Sequence, residues 1–352
     1  MTSGDPVAPT AIGRYPVIRR LGAGAFATVW LARDTEFDVD VAVKVLAEDW
    51  AADPAIRERF TTEAKLLRRI GDRRIVHVYD IGTLPDGRPY FVMDHLDGGT
   101  LEDLRRSGVE PAEALHLCAE AARGLEVLHR HHVVHRDVTP GNLLLSHRPD
   151  GTRTVVVADL VVARSVVESS AGAMIVGTPS SMAPEQAAGG AVDARADVYA
   201  LCVVAYALLA GEPPFPVRTV ADLTGRPAGL APPPLAERLG APATLDGLFR
   251  SGLATDPHRR PPSAALLADA FDQLAADLAR VPGRSGEPRG AVAQPGPHPR
   301  PPVVPAAAPA PSAPAPSAPT RVGRSSVFYI GMTVLAILLF AAFLGVVIAL
   351  SL

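Results

Sequence analysis

The stretch HRDVTPGN at 135–142 sets Asp137 five residues ahead of Asn142 on one loop, directly before the apolar run at 143–145. An aspartate there could take a proton, and the amide oxygen could serve as a metal ligand. A second carboxylate, Asp159, ends the β-like run VVVADL at 155–160. A lone aspartate after a strand is most often a turn or cap residue, but paired with Asn142 it can hold Mg2+ through oxygen ligands. Further upstream, LGAGAFATV at 21–29 lies between two β-like runs. Gly22 and Gly24 would let backbone N–H groups close over phosphates where a Cβ would obstruct. Glycines in hairpin turns are common, so this motif alone is weak. VAVK at 41–44 follows. A lysine ending an apolar run is ordinarily a solvated strand end, yet behind a glycine hairpin Lys44 can reach an α- or β-phosphate. Glu63 falls on the same helical side as Phe60 and Leu67, as either a partly exposed surface charge or the ion partner that holds Lys44.

These groups are far apart in sequence, so the fold must gather them. From 15 to 96 there are β-like runs, YPVIRRLG, ATVWLARD, VDVAVKVL, the stretch 75–82 and RPYFVMDHL. One helical segment interrupts them at 56–70, where Ile56, Phe60, Ala64 and Leu67 recur at helical spacing. From residue 101 helices dominate, notably 111–131, 197–209 and 263–279. The order of elements predicts an α+β, bilobal chain: a small lobe of five strands and one helix, then a larger helical lobe.

With 352 residues, 48% hydrophobic and 20% charged, the chain can bury a sizeable core. A formal net charge of −3 gives no sign of a nucleic-acid partner. The two cysteines, Cys118 and Cys202, sit in apolar helical stretches without C-x-x-C spacing, which predicts buried thiols and no metal or redox site. The N-terminal ten residues lack the apolar core of a signal peptide. Residues 282–320 are rich in proline, alanine, glycine and serine, a composition that cannot bury enough apolar surface to fold and that favours extended polyproline II. The run VFYIGMTVLAILLFAAFLGVVIAL at 327–350 carries no charge. Its ~24 residues would make a helix of ~36 Å, enough to cross a ~30 Å hydrocarbon core with some tilt. Arg321 and Arg324 precede it, so the positive-inside bias puts the N-terminal bulk in the cytoplasm and leaves little of this chain outside. The expected division is a domain at 12–280, a Pro/Ala-rich disordered linker at 281–324 and a single transmembrane helix at 325–352.

Taken in order, the glycine-rich loop, V-A-x-K, H-R-D-x-x-x-x-N, the aspartate at 159 and A-P-E at 183–185 resemble the signature set of bacterial eukaryotic-type (Hanks-type) serine/threonine protein kinases. DVYALCVVAYALLAGEPPF at 197–215 resembles that family's central helix, and DPHRRP at 256–261 supplies Arg260 as a partner for Glu185. The resemblance covers about 12–278 and implies the bilobal protein-kinase fold. It implies that Lys44 contacts the α/β-phosphates of ATP and is held by Glu63. It makes Asp137 the acceptor of the substrate hydroxyl proton, and Asn142 and Asp159 ligands of Mg2+, with Mn2+ as a substitute. The nucleotide would lie against Leu21, Gly22, Ala23, Gly24, Ala25, Phe26, Ala27, Val29 and Ala42. Met93 would be the gatekeeper, with the backbone at Asp94 and Leu96 bonded to adenine. Thr178 would line the substrate-hydroxyl site and, with Thr139, favours serine or threonine acceptors over tyrosine. His135 is then a core-packed loop residue, which removes the reading of histidines 129, 131, 132 and 135 as a metal site.

Four positions depart from the pattern. Ala27 replaces the third glycine, where a small residue is tolerated. Thr139 replaces a lysine that would neutralise charge developing on the γ-phosphate, at an expected cost of ~2–4 kcal/mol or ~30- to 1000-fold in rate. Val161 replaces the glycine of D-F-G and stiffens the backbone there. Ser181 stands where the family often has an aromatic residue. The implied activity is an ATP-dependent, non-specific serine/threonine protein kinase, autophosphorylation included, and the alternative is a membrane-anchored pseudokinase scaffold. Expected partners are protein substrates, the lipid bilayer through the C-terminal helix and a second copy in a homodimer, with no nucleic acid. The expected location is the cell membrane, single-pass, with the kinase domain cytoplasmic. Arg136 could bind a phosphate on the segment after Asp159, where Ser165, Ser169 and Ser170 are candidate acceptors.

Overall fold

The computed structural model describes residues 9–148, 150–160, 179–227 and 229–280. The glycine-rich and lysine-bearing runs form strands β2 (Tyr15–Ala23), β3 (Ala27–Asp34) and β4 (Val39–Leu46), preceded by a two-residue β1 (Ala11–Ile12). Helices α1 (Glu48–Ala51) and α2 (Pro54–Ile70) follow, then β5 (Val78–Thr83) and β6 (Pro89–Asp94). These strands make one sheet in the order β1-β2-β3-β4-β6-β5, antiparallel throughout. The expectation of five strands and one helix is therefore corrected to six and two. β1 and α1 are too short to carry a periodic pattern. β1 is held by pairing with β2 and by burial of Ile12.

α2 runs where the helical spacing predicts it. Pro54 opens it, and the Asp53 carboxylate accepts the N–H groups of Ala55 and Ile56. Its apolar stripe, Ile56, Phe60, Ala64 and Leu67, is buried against the sheet, and Gly71 ends it at φ 59°. The run at 75–82 is only partly a strand. Ile75 instead makes a parallel bridge to Val157, the Val76 N–H donates to the Val157 carbonyl at 3.0 Å, and the Val157 N–H donates to the Arg74 carbonyl at 2.8 Å.

The larger lobe holds α3 (Leu101–Ser107), α4 (Pro111–Arg130), the antiparallel ribbon β7 (Leu143–His147) and β8 (Arg153–Val157), α5 (Pro184–Ala187) and α6 (Ala194–Ala210). It continues with α7 (Val220–Thr224), α8 (Ala236–Leu239), α9 (Thr244–Gly252) and α10 (Ala264–Arg280). α6 is buried on all sides from Ala196 to Leu209, as a helix with apolar residues all round must be. α4 buries most of its length beside it, and one core runs from α2 and the sheet down to α10. Cys118 on α4 and Cys202 on α6 are buried free thiols. Burial pushes both above the usual thiol range, Cys202 to about 12.

The run at 327–350 and the linker lie outside the described residues, as do Val161, Ser165, Ser169, Ser170 and Thr178. Among the described residues, no helix is long and apolar enough to cross a membrane.

Candidate active site

Lys44 projects from β4 on the face that α2 covers, and there the predicted partner meets it. The Lys44 ammonium lies 2.9 Å from a Glu63 carboxylate oxygen and 2.8 Å from Asp159 Oδ1. Glu63 is 2% exposed, one turn from Phe60 on the buried stripe of α2. Burial alone would lower the lysine pKa, but the Asp159 and Glu63 carboxylates outweigh it and raise it above the ordinary lysine value. Lys44 is thus a fixed cation at the back of the sheet. Asp159 comes to it from just beyond β8, with its backbone in the left-handed region at φ 61° and its side chain 43% exposed.

The catalytic-type loop is built on a buried carboxylate. Asp197, in the first turn of α6 and fully buried, accepts the backbone N–H groups of His135 and Arg136, each at 2.8 Å. It also meets His129 Nε2 at 2.8 Å. Arg136 is held at φ 65°, a conformation that costs a non-glycine residue about 1–3 kcal/mol unless its surroundings fix it. Asp197 supplies that fixation. His135 is fully buried, as expected. Its Nδ1 faces the Asp137 N–H at 3.3 Å, so Nε2 carries the proton and donates to the Ala158 carbonyl at 2.9 Å. The Ala158 N–H donates to the Asn142 carbonyl at 3.0 Å, which ties the end of β8 to the same loop. Asn142 Nδ2 donates to the Asp137 carbonyl at 2.8 Å and to Asp137 Oδ2 at 3.1 Å.

A cavity of about 260 Å³ opens between the lobes, lined by residues 22–27, Val29, Lys44, Phe60, Glu63, Asp137, Asp159 and Leu160. The structure therefore brings the glycine loop, the lysine with its partner and both aspartates to one space. Asn142 reaches it through Asp137. Leu21, Ala42, Met93, Asp94 and Leu96 do not line this cavity. Ala42 and Met93 face each other as a buried pair across β4 and β6, and Leu21 is exposed. The Asp94 side chain turns to β5, taking the Tyr79 hydroxyl and the His77 N–H, the latter at 2.9 Å. Burial and that contact push the Tyr79 phenol up to about 12.

The cavity suits a polyphosphate. A Cβ added at Gly22 would meet no protein atom within 4 Å, and at Gly24 only the Ala27 carbonyl at 3.6 Å, so packing does not demand either glycine. The Asn142 amide nitrogen is committed to Asp137, which leaves its oxygen to serve a hard cation. Among the described residues, no three His, Cys, Asp or Glu side chains gather to hold a metal unaided. A cation here would need phosphate oxygens as further ligands, the usual arrangement for Mg2+.

Further out, Arg260 is buried and pairs with Glu185 through both nitrogens at 2.7 and 2.8 Å, as the sequence suggested. Ser181 is buried in a single helical turn at Pro179–Ser181. Sequence reasoning missed Asp197 as the loop's anchor, together with His129, although a carboxylate opening an otherwise apolar helix was a visible signal.

Known proteins match this arrangement. Residues 15–271 match the protein kinase domain family. The chain is 38% identical over 285 residues to serine/threonine-protein kinase PknB of Mycobacterium tuberculosis, covering 78% of this chain and 44% of that one. It is 34% identical over 291 residues to serine/threonine-protein kinase Pkn1 of Myxococcus xanthus, covering 81% and 42%. It thus spans less than half the length of these relatives. The solved kinase domain of M. tuberculosis PknI superposes with a TM-score of 0.60 at 32% identity, covering 76% of this chain and 99% of that one. A match that begins at β2 and ends within α10 takes in both lobes and every element of the cavity, and by it the chain belongs to the protein kinase domain family.

Proposed function

We propose that this chain is a serine/threonine protein kinase, transferring the γ-phosphate of ATP to serine and threonine hydroxyls of proteins, its own included. The observation that carries the reading is the convergence of Lys44, Glu63, Asp137 and Asp159 on one cavity beneath the glycine loop. The relatives' names as serine/threonine kinases support the same class.

In this reading Lys44, kept charged and in place by Glu63, neutralises the inner phosphates of ATP. Backbone N–H groups of residues 22–27 cover the outer ones. Adenine lies against Leu21, Val29 and Ala42, next to Met93 and the backbone of Asp94 and Leu96. Bound Mg2+, or Mn2+ in its place, would draw charge from the phosphate oxygens, with Asn142 and Asp159 as its protein ligands. Asp137 accepts the proton of the attacking hydroxyl, and Asn142 orients it through the bond at 3.1 Å. Positioning and charge neutralisation are most of what phosphoryl transfer asks of a protein. Thr139, a neutral hydroxyl, limits the rate. The assignment of 12–280 as kinase domain, 281–324 as linker and 325–352 as a membrane anchor with a cytoplasmic kinase domain belongs to this proposal. It rests on the apolar run at 327–350 and the arginines before it.

The test is label transfer from radiolabelled ATP with Mg2+ to the full-length chain and to a generic acceptor protein, beside Asp137→Asn and Lys44→Ala. Label incorporated by the wild type alone, on serine and threonine, is the expected result. Wild-type label no higher than that of the two variants would favour the pseudokinase scaffold. Gain of activity in Thr139→Lys would then identify the residue that silences it.

A further inference from the structure

The glycine loop is held at its tip by a residue outside the motif. Trp50, on the four-residue α1, donates its indole N–H to the Ala25 carbonyl at 2.8 Å. Its ring stacks on Phe26 with centroids 4.8 Å apart and planes 29° apart. The neighbouring Ala47 N–H donates to the Phe26 carbonyl at 2.9 Å. The segment 47–50 therefore grips both carbonyls at the tip of the loop and one of its side chains. Strand β2, by contrast, is exposed along most of its length and contributes little burial to hold the loop down.

The grip extends to the other side of the cavity. The Trp50 carbonyl accepts the Asp53 N–H at 3.2 Å. Asp53 in turn caps α2, which carries Glu63 to Lys44. One chain of contacts thus runs from the loop over the outer phosphates to the lysine that faces the inner ones.

We propose that Trp50 is a positioning residue for the nucleotide phosphates: its indole N–H and ring hold the tip of the glycine loop closed and tie it to the start of α2. Ala25 and Phe26 line the cavity, so releasing them moves backbone donors away from the phosphates and leaves the adenine side unaltered. The proposal rests on the reading of the cavity as an ATP site.

Binding of a non-hydrolysable ATP analogue with Mg2+, and of adenosine alone, is measured by calorimetry on full-length wild type, Trp50→Ala and Trp50→Phe. Trp50→Ala should bind the analogue roughly tenfold more weakly, the scale of one lost hydrogen bond and one ring stack, with adenosine affinity unchanged. Trp50→Phe, which retains a ring, should fall between. The other tryptophan, Trp30, is buried in a separate cluster with Ile12, Tyr15 and Val43, so the wild type should also show a fluorescence change on binding the analogue that Trp50→Phe lacks. Equal losses for adenosine and the analogue would reduce Trp50 to general packing and overturn the proposal. Unchanged affinity in Trp50→Ala beside a wild type that binds would overturn it alone. A wild type that binds neither ligand would overturn this proposal and the ATP-site reading together.

Discussion

Gly22 of the glycine loop and two glycines of the helical lobe are there for opposite reasons. At Gly22 an added Cβ would stand in open space. At Gly252, on α9, it would lie 2.3 Å from Cys202 Sγ, and at Gly124, on α4, 2.7 Å from Val157 Cγ2. At these two helical-lobe positions a side chain is left out because the lobe's own atoms occupy the room. At Gly22 it is left out where no protein atom lies within 4 Å, so the room is available to something else. The lower lobe is a dense floor that fixes Asp137 and Asn142, whereas the loop above is an open cover.

The comparison predicts that chemistry and stability reside in the floor and affinity in the cover. The largest effect should be on turnover. Asp137→Asn should lower phosphoryl transfer about a thousandfold in the radiolabel assay while leaving the melting temperature where it was. Next, Asp197→Ala removes the acceptor of one buried and one part-buried backbone N–H group and should destabilise the fold by about 3 kcal/mol in urea titration. A change near zero there would mean that the loop supports itself. Gly252→Ala should cost about 2 kcal/mol by overpacking against Cys202. Gly22→Ala should fall within about 0.5 kcal/mol in the same titration, yet weaken ATP binding several-fold. Equal effects of these two alanines on stability would break the contrast.

The smallest effect is in acid. Burial raises the Glu120 carboxyl, but Thr154, Arg148 and Arg123 outweigh it and hold the group below its ordinary 4.5. A carboxylate depressed on folding stabilises above its unfolded pKa, and that stability is lost as pH falls through the folded value. The melting temperature should drop below about pH 4.5, and Glu120→Gln should flatten that part of the profile.

Much of the site was legible because its residues belong to long periodic runs. Lys44 lies in the apolar strand run at 39–46, and Glu63 shares a helical side with Phe60 and Leu67; spacing left both open as surface charges, and the fold buries them as a pair. The loop residues were readable as types at fixed spacing. Asp197 was harder, since its role is to accept backbone N–H groups sixty-odd residues away, and nothing local encodes that distance. The adenine-side set, Leu21, Ala42, Met93, Asp94 and Leu96, came from resemblance and not from pattern, and none of these residues is among those that line the cavity. β1, α1 and Trp50 escaped because two- and four-residue elements have no period. Their shape is set by neighbours contacted only after folding.

The two backbone bonds between the 74–76 stretch and Val157 have a mechanical consequence. They bolt the chain that follows α2 to the lower lobe, which makes the Gly71 end of α2 the natural pivot for a rotation of that helix. Glu63 then sits on a lever arm of ~12 Å, eight residues along the helix axis. A swing of ~10° would carry its carboxylate ~2 Å, far enough to open the 2.9 Å contact with Lys44. In such a rotation the far end near Asp53 travels farthest, so contacts at the start of α2 have the longest lever on the Lys44–Glu63 pair.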